Sequence, residues 1–400
     1  MGREMFKAER KLVEFIEKNI KIIAMILAGV LGLVIRFSLF KVESPDYRDF
    51  LELWFYEIKG NGGLRGLGTS VGNYNFLYQT LIAILTMIPI KCLYSYKLLS
   101  VIFDVTLAFS VWVYVKNILS GGENDLKAVA SWALMWLVPT FFLNSAAWSQ
   151  CDSIYSTFLV LTLYYLQKES KYHEQKAFAF FGLALAFKLQ AVFLLPFILF
   201  YWFKKKDFSI LNILISPVVL FATGLPCLIA GRPIGQFFSL YKEQVTEYSA
   251  RLSYSYPGIW QIFYQPADYE IYHNYRMAAM ILAVCALGFL MVLWTTKKYE
   301  MTPLNALYMA FLLTFTAVMF LPAMHERYGY VYMILGAVIA VMNKKTIPAY
   351  ATLCVIDLIT YSGYINEYWS NFTFFGVLCI AFVNVGVYVW YIIDLNKTME

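Results

Sequence analysis

Of the 400 residues, 60% are hydrophobic, 18% aromatic and only 14% charged, with a mean hydropathy of +0.60. So little charge cannot cover a water-soluble domain of this length, which excludes that class. The net charge of +6 sits in short Lys/Arg clusters between apolar runs, so it marks membrane topology and not an extended nucleic-acid-binding face.

Apolar runs recur at membrane-spanning length along the whole chain. They predict an all-α fold: a polytopic transmembrane helical bundle of about 11–13 spans, forming one membrane domain over residues 1–400 with no internal repeat. Residues 1–21 carry basic and acidic residues in helical rhythm without a small-residue cleavage site, predicting a cytoplasmic amphipathic helix and not a removable signal peptide. Six basic residues (Arg3, Lys7, Arg10, Lys11, Lys18, Lys21) precede the first span, Ile22–Phe40, and place the N-terminus inside.

The polar stretch Glu43-Ser44-Pro45-Asp46-Tyr47-Arg48-Asp49-Phe50 then lies outside, followed by Leu51–Tyr56, whose aromatics suit a membrane surface. Asp46 and Asp49, two carboxylates beside an interfacial aromatic run, describe a reactive site laid against the bilayer. The plainer reading has Ser44 or Asp46 capping the helix that starts near Phe50. Residues 41–96 are expected to form a first outer loop with juxtamembrane or re-entrant helices. Asn75–Ile90 is short for a crossing, and treating it as re-entrant keeps Lys116, Lys127, Lys168, Lys171 and Lys176 inside.

Residues 97–230 continue that module. Between two apolar runs lies Ala147-Trp148-Ser149-Gln150-Cys151-Asp152-Ser153, where a carboxylate is costly unless it is paired or faces a wet cavity. Asp152 can also serve as a plain helix cap. Ala177–Phe203 is expected to split into two short helices near Lys188-Leu189-Gln190. An intramembrane lysine there faces a pocket or pairs with an anion, either a lipid phosphate or Asp104 or Asp152.

Residues 231–273 are expected as a second large outer loop. It contains Tyr254–Gln261, whose aromatics, Trp260 among them, suit sugar faces or interfacial anchoring equally. Residues 274–400 supply the C-terminal helices. Basic clusters at Lys204–Lys206, Lys297-Lys298 and Lys344-Lys345 face the cytoplasm and force Met324-His325-Glu326-Arg327-Tyr328 outside. That run is either part of a site or a solvated helix start with a weak Glu–Arg pair. No HExxH or CxxC motif is present, and the six cysteines do not form a disulfide pattern. Asn371-Phe372-Thr373 matches a glycosylation sequon.

Four stretches in this order resemble the C-type (GT-C) glycosyltransferases, multi-spanning enzymes that use polyprenyl-phosphate-linked sugars, and most closely the bacterial relatives of the mannosyltransferase branch. They are Ser44-Pro45-Asp46-Tyr47, Asn144–Ser153, Phe187-Lys188-Leu189-Gln190-Ala191 and Leu321–Tyr328. The resemblance implies a catalytic Asp in the first outer loop, juxtamembrane helices there, and an acidic residue in the second outer loop, matching Asp152.

The expected function is an inverting transfer of a sugar from a polyprenyl-phosphate carrier to a glycan or lipid-linked acceptor. It would run on the extracytoplasmic face of a bacterial plasma membrane. Asp46 would act as base with Asp49 beside it, while Lys188, Arg327 and His325 would meet the donor phosphate. Gln150, Asp152, Gln190, Glu326, Tyr328 and Trp260 would contact sugar and acceptor. No metal ligands are assigned, and a divalent cofactor stays open because no strict acidic pair is evident. A lipid-linked glycan flippase would need mid-membrane charges in repeated halves. A glycan polymerase would show two basic outer loops, whereas 231–273 is mixed in charge.

Overall fold

The computed structural model describes residues 6–120, 125–246, 251–263, 269–367 and 374–399. The sequon at 371–373 and residues 247–250 and 264–268 of the expected outer loop lie outside the described residues.

The described chain is a helical bundle with one two-residue strand pair. The N-terminal part comprises α1 (Lys7–Ser38), α2 (Glu52–Gly60), α3 (Phe76–Leu85), α4 (Cys92–Tyr114), α5 (Asp125–Leu137), α6 (Pro139–Phe142), α7 (Asp152–Gln167) and α8 (His173–Phe187). After it come α9 (Leu195–Lys205), α10 (Ile215–Ile229), α11 (Ile234–Thr246), α12 (Tyr269–Thr296), α13 (Pro303–Phe320), α14 (Tyr330–Met342), α15 (Ile347–Ile365) and α16 (Phe374–Met399). Strands β1 (Ser253–Tyr254) and β2 (Met324–His325) pair in parallel, Ser253 opposite Met324.

Six helical stretches are long and apolar enough to cross a membrane, or seven if a bent pair counts as one span. The remaining apolar runs of the sequence form shorter or broken helices. The bent pair is α5 and α6, turned by 48°. The cause is Pro139, which lacks a backbone N–H and keeps the preceding Val138 extended (ψ 130°). The run expected over Val129–Ala147 is therefore two helices and a π-turn. At the other extreme, α1 continues unbroken through the expected amphipathic segment and first span. Its 32 residues extend about 48 Å, well beyond a hydrocarbon core of about 30 Å. Ten-residue α3 reaches only about 15 Å.

The hub is α13 with α14. Every residue from Ala306 to Met319 is buried, as is every residue from Tyr330 to Ala340. Helices apolar on all sides belong inside a bundle, where neighbouring helices and not lipid surround them. By contrast α1, α10, α12 and α16 leave most of their apolar side chains on the outside. Polar groups tie the N-terminal helices together. Arg36 of α1, fully buried, donates from Nε to Asp104 Oδ2 of α4 at 2.6 Å and from Nη1 to the Trp136 carbonyl of α5 at 2.9 Å. Ser145 adds a second donor to Asp104 Oδ2 at 2.6 Å.

Candidate active site

The first outer turn is held by what surrounds it. Lys97 of α4 donates to the carbonyls of Leu39, Phe40 and Val42, satisfying acceptors left open where α1 ends. Ser44 Oγ accepts from the Tyr47 N–H at 3.2 Å and donates to the Trp148 carbonyl at 2.7 Å. Ser44, and not Asp46, therefore caps the π-turn Tyr47–Leu51 that leads into α2. Tyr47 and Leu51 are buried under it, and Tyr96 anchors the turn by donating to the Leu51 carbonyl at 2.9 Å.

Freed from capping, Asp46 points inward and collects donors from three other elements. Its Oδ2 accepts from Trp148 Nε1 at 3.0 Å and from Gln150 Nε2 at 2.5 Å. Its Oδ1 accepts from the Tyr364 hydroxyl of α15 at 2.5 Å. Arg327 Nη2 lies 3.8 Å from Oδ2. A carboxylate offers about four lone-pair positions, so three hydrogen bonds leave it capacity for one more partner.

A second charge pair stands beside the first. Lys188 occupies the break between α8 and the 3₁₀ turn Leu189–Leu194, with extended backbone (φ −148°, ψ 138°). This break is where the sequence places one. Its Nζ meets Asp152 Oδ1 at 2.5 Å and Gln150 Oε1 at 3.1 Å, while Asn144 donates to Asp152 Oδ2 at 2.7 Å. Of the two acidic candidates for Lys188, Asp152 is its partner, and Asp104 belongs to Arg36.

The connection between α13 and α14 brings the third contribution. β2 pairs with β1, and the His325 ring stacks on Tyr254 at 5.0 Å with Tyr328 5.1 Å away. Desolvation there, with Arg327 and Lys188 nearby, pushes His325 down to about 3, so its imidazole is neutral at pH 7. Burial pushes the adjacent Glu326 up to about 8, with the charges of Asp46 and Asp152 adding to the effect, so it carries a proton at pH 7. Asp152 pairs with Lys188 and Asp46 faces Arg327, and Arg276 adds a third basic side chain to the site.

These residues front a cavity of about 320 Å³, at the small end of the range of about 300–1,000 Å³ usual for ligand sites. Its polar wall includes Asp46, Gln150, Lys188, Gln190, Arg327 and Tyr328. The apolar remainder includes Phe50, Trp54, Phe193, Met280 and Leu321. The other candidates stand off the wall. Asp152 lies directly behind Lys188, and Glu326 is buried behind Arg327. His325 packs on Tyr254, and Asp49 is exposed on the far side of the π-turn. Trp260 donates from Nε1 to the Phe320 carbonyl at 2.7 Å. Among the described residues, no cluster of three or more His, Cys, Asp or Glu has the arrangement to hold a metal ion.

Sequence reasoning assigned no role to Tyr364, Trp148, Asn73, Tyr74, Gln244 or Arg276. Tyr364 stacks on Trp148 (4.6 Å, 23°), and the other four line the cavity. A tyrosine near a helix end reads as an interfacial anchor, so no local signal marks Tyr364. Trp148 does carry one: an indole set among small and polar residues, Ala147 before it and Ser149-Gln150 after it, between two apolar runs.

None of the curated proteins matches the chain. A family model described as "Glycosyltransferase family 87" matches residues 76–322, more than half of the length, and covers Gln150, Asp152 and Lys188. This chain therefore belongs to glycosyltransferase family 87, a GT-C-type polytopic membrane family, and is an integral membrane glycosyltransferase.

Proposed function

We propose that the enzyme moves a sugar, with inversion, from a polyprenyl-phosphate carrier to a hydroxyl of a glycan or lipid-linked acceptor on the extracytoplasmic face of a bacterial plasma membrane. One observation carries the reading. Asp46 and the cations Lys188 and Arg327, brought from three distant parts of the chain, front the same small cavity, whose wall also carries amide side chains (Gln150, Gln190, Gln244) and a broad apolar and aromatic portion.

Asp46 takes the proton of the acceptor hydroxyl as its oxygen forms the bond to the anomeric carbon. The bond from that carbon to the phosphate oxygen breaks on the opposite face, and the polyprenyl phosphate leaves with the electron pair. The proton on Asp46 then passes to solvent. General-base assistance of this kind contributes about 10²–10⁴-fold. Arg327 and Lys188 meet the charge that grows on the leaving phosphate, supplying the electrostatic part of the catalysis. The His325 imidazole, neutral at pH 7, adds at most a hydrogen bond. Gln190 and Tyr328 line the cavity where sugar hydroxyls would lie, with Asp152, Glu326 and Trp260 supporting from outside the wall. Asp49 lies on the same π-turn as Asp46's neighbours, exposed and off the cavity wall, and would act only from outside it. Phe50, Trp54, Phe193 and Met280 would take the first isoprene units of the carrier.

The test is direct. Purified protein is incubated with a panel of polyprenyl-phosphate sugars and candidate acceptors, and release of the lipid phosphate is followed. Turnover with at least one donor is expected. Turnover only with nucleotide sugars would overturn the carrier assignment.

A further inference from the structure

We infer that Gln150 and Lys188 are positioning residues for the base: Lys188 fixes the Gln150 amide, and the amide fixes the Asp46 carboxylate. The inference deepens the transfer reading above and rests on it. A primary amide can present either end to a neighbour, and its surroundings decide which. Here Gln150 Nε2 lies 2.5 Å from Asp46 Oδ2. Its Oε1 accepts from Lys188 Nζ at 3.1 Å and from the Tyr74 hydroxyl at 3.3 Å. An anion at one end and an ammonium at the other admit one orientation. The reverse would set oxygen against carboxylate and N–H against ammonium.

Both ends of this bridge are themselves immobilised. The Gln150 N–H donates to the Asn144 carbonyl at 3.0 Å, its own carbonyl accepts from Ser100 Oγ at 2.7 Å, and the residue is 1% exposed. Ser149 just before it holds a left-handed backbone (φ 68°), which turns the chain out of the π-turn Leu143–Ala147 and toward Asp46. Lys188 is held by Asp152, and Asp152 by Asn144. Asn144 thus grips the Gln150 backbone and the Asp152 side chain together. Trp148 and Tyr364 bond to Asp46 as well, so the position of the Gln150 amide decides which lone pair is left for the acceptor hydroxyl. Lys188 therefore reaches the reaction by two routes, the phosphate that faces it and the base that it aligns through Gln150.

If the two residues instead served phosphate and sugar separately, their losses would multiply. A mutant cycle distinguishes the cases. Removing Lys188 alone strands a buried carboxylate, so the cycle pairs Lys188→Met with Asp152→Asn and sets that double exchange against Gln150→Leu and the triple variant. With purified enzyme and a polyprenyl-phosphate sugar, Gln150→Leu and the double exchange should each lower kcat by about tenfold to a hundredfold, the worth of one hydrogen bond to a charged group. The triple variant should fall within about threefold of the worse of the two. A triple loss equal to the product of the two overturns the inference, as does a double exchange that changes donor KM alone. If the double exchange does not yield monodisperse protein, Lys188→Arg, which keeps the charge but moves the donors, is measured in the native and the Q150L backgrounds. A kcat loss clearly smaller in Q150L than in the native background supports the coupling, and one of the same size in both overturns it, since the phosphate route alone is indifferent to Gln150. A wild-type enzyme that releases no lipid phosphate from any donor sinks the transfer reading itself, and this inference with it.

Discussion

Tyr364 donates its hydroxyl to Asp46 Oδ1 at 2.5 Å, although 318 positions separate the two residues. Tyr364 lies on α15, past the family-matched segment that ends at residue 322, so the C-terminal helices complete the surroundings of the base. Its ring also stacks on Trp148, which donates to the other oxygen of Asp46. Tyr364→Phe keeps the stack and removes only the hydroxyl. Steady-state assays of the variant should show kcat lowered by about tenfold to a hundredfold with donor KM nearly unchanged. An unchanged kcat would mean that the hydroxyl does not align the base.

Asp46→Asn tests the base itself. With its amide oxygen in the place of Oδ2, the asparagine still accepts from Trp148 and Gln150, and the Tyr364 hydroxyl can turn to accept from its NH2. The local fold therefore survives, but the asparagine cannot take a proton from an incoming hydroxyl. Transfer should fall by about 10²–10⁴-fold while expression and elution in detergent match the wild type. Near-normal turnover would refute the assignment. The parallel exchange Asp49→Asn, at an exposed position off the cavity wall, should lower turnover far less.

Gly72 supports the aromatic wall. It adopts φ +60°, and a Cβ there would lie 2.4–2.9 Å from the Trp54 ring, which lines the cavity. In Gly72→Ala both the backbone conformation and the indole resist the methyl group. The expected result is a lower melting temperature together with a raised donor KM, read by thermal unfolding in detergent and by kinetics. A variant with native values for both would show that the Trp54 indole moves aside without consequence.

Much of the site was legible in the sequence because membranes make polar residues conspicuous. Lys188 and Asp152 stand out because a charge between apolar runs needs a pocket or a partner. Here the partner reading holds, since each is the other's counter-ion, and Lys188 of the pair also lines the cavity. The helix break at Lys188 was legible from the length of the run and from the charge balance that topology requires. The bend at Val138–Pro139 is invisible to hydropathy, which sees one continuous apolar run; only the proline within it marks the break. Arg36 and Asp104 lie 68 positions apart, and neither carries a local sign of the other. Tyr364 is hidden for a different reason: in this chain tyrosines are common enough that one near a helix end carries no signal.

Glu326 makes stability depend on pH in a definite direction. Its carboxyl is pushed from the ordinary 4.5 up to about 8 by burial, with Asp46 and Asp152 adding to the effect and Arg327 opposing it. The folded protein therefore holds a proton between about pH 4.5 and 8 that the unfolded chain has released. This contribution is full below pH 4.5 and is lost as pH rises toward 8. Melting temperature in detergent should fall across that interval in the wild type, and fall less in Glu326→Gln, which keeps the neutral form at all pH. Parallel profiles for the two proteins would show that Glu326 is not the titrating group.

The Arg36–Asp104 pair yields the sharpest stability prediction, because it lies away from the cavity wall and its loss should unfold the protein before it touches the chemistry. Both side chains are almost wholly enclosed, 0% and 2% exposed, and Arg36 also satisfies the Met135 and Trp136 carbonyls. Arg36→Met leaves the Asp104 carboxylate without its counter-ion, a change that typically costs about 3–5 kcal/mol. Arg36→Met with Asp104→Asn removes both charges and should recover most of the melting temperature, since a buried pair adds little beyond what a neutral replacement gives. Recovery in the double variant, with kcat close to the wild type, would place the pair in the scaffold. A kcat that stayed low in a restored fold would instead tie it to the reaction, through Ser145 and the turn that carries Trp148 and Gln150.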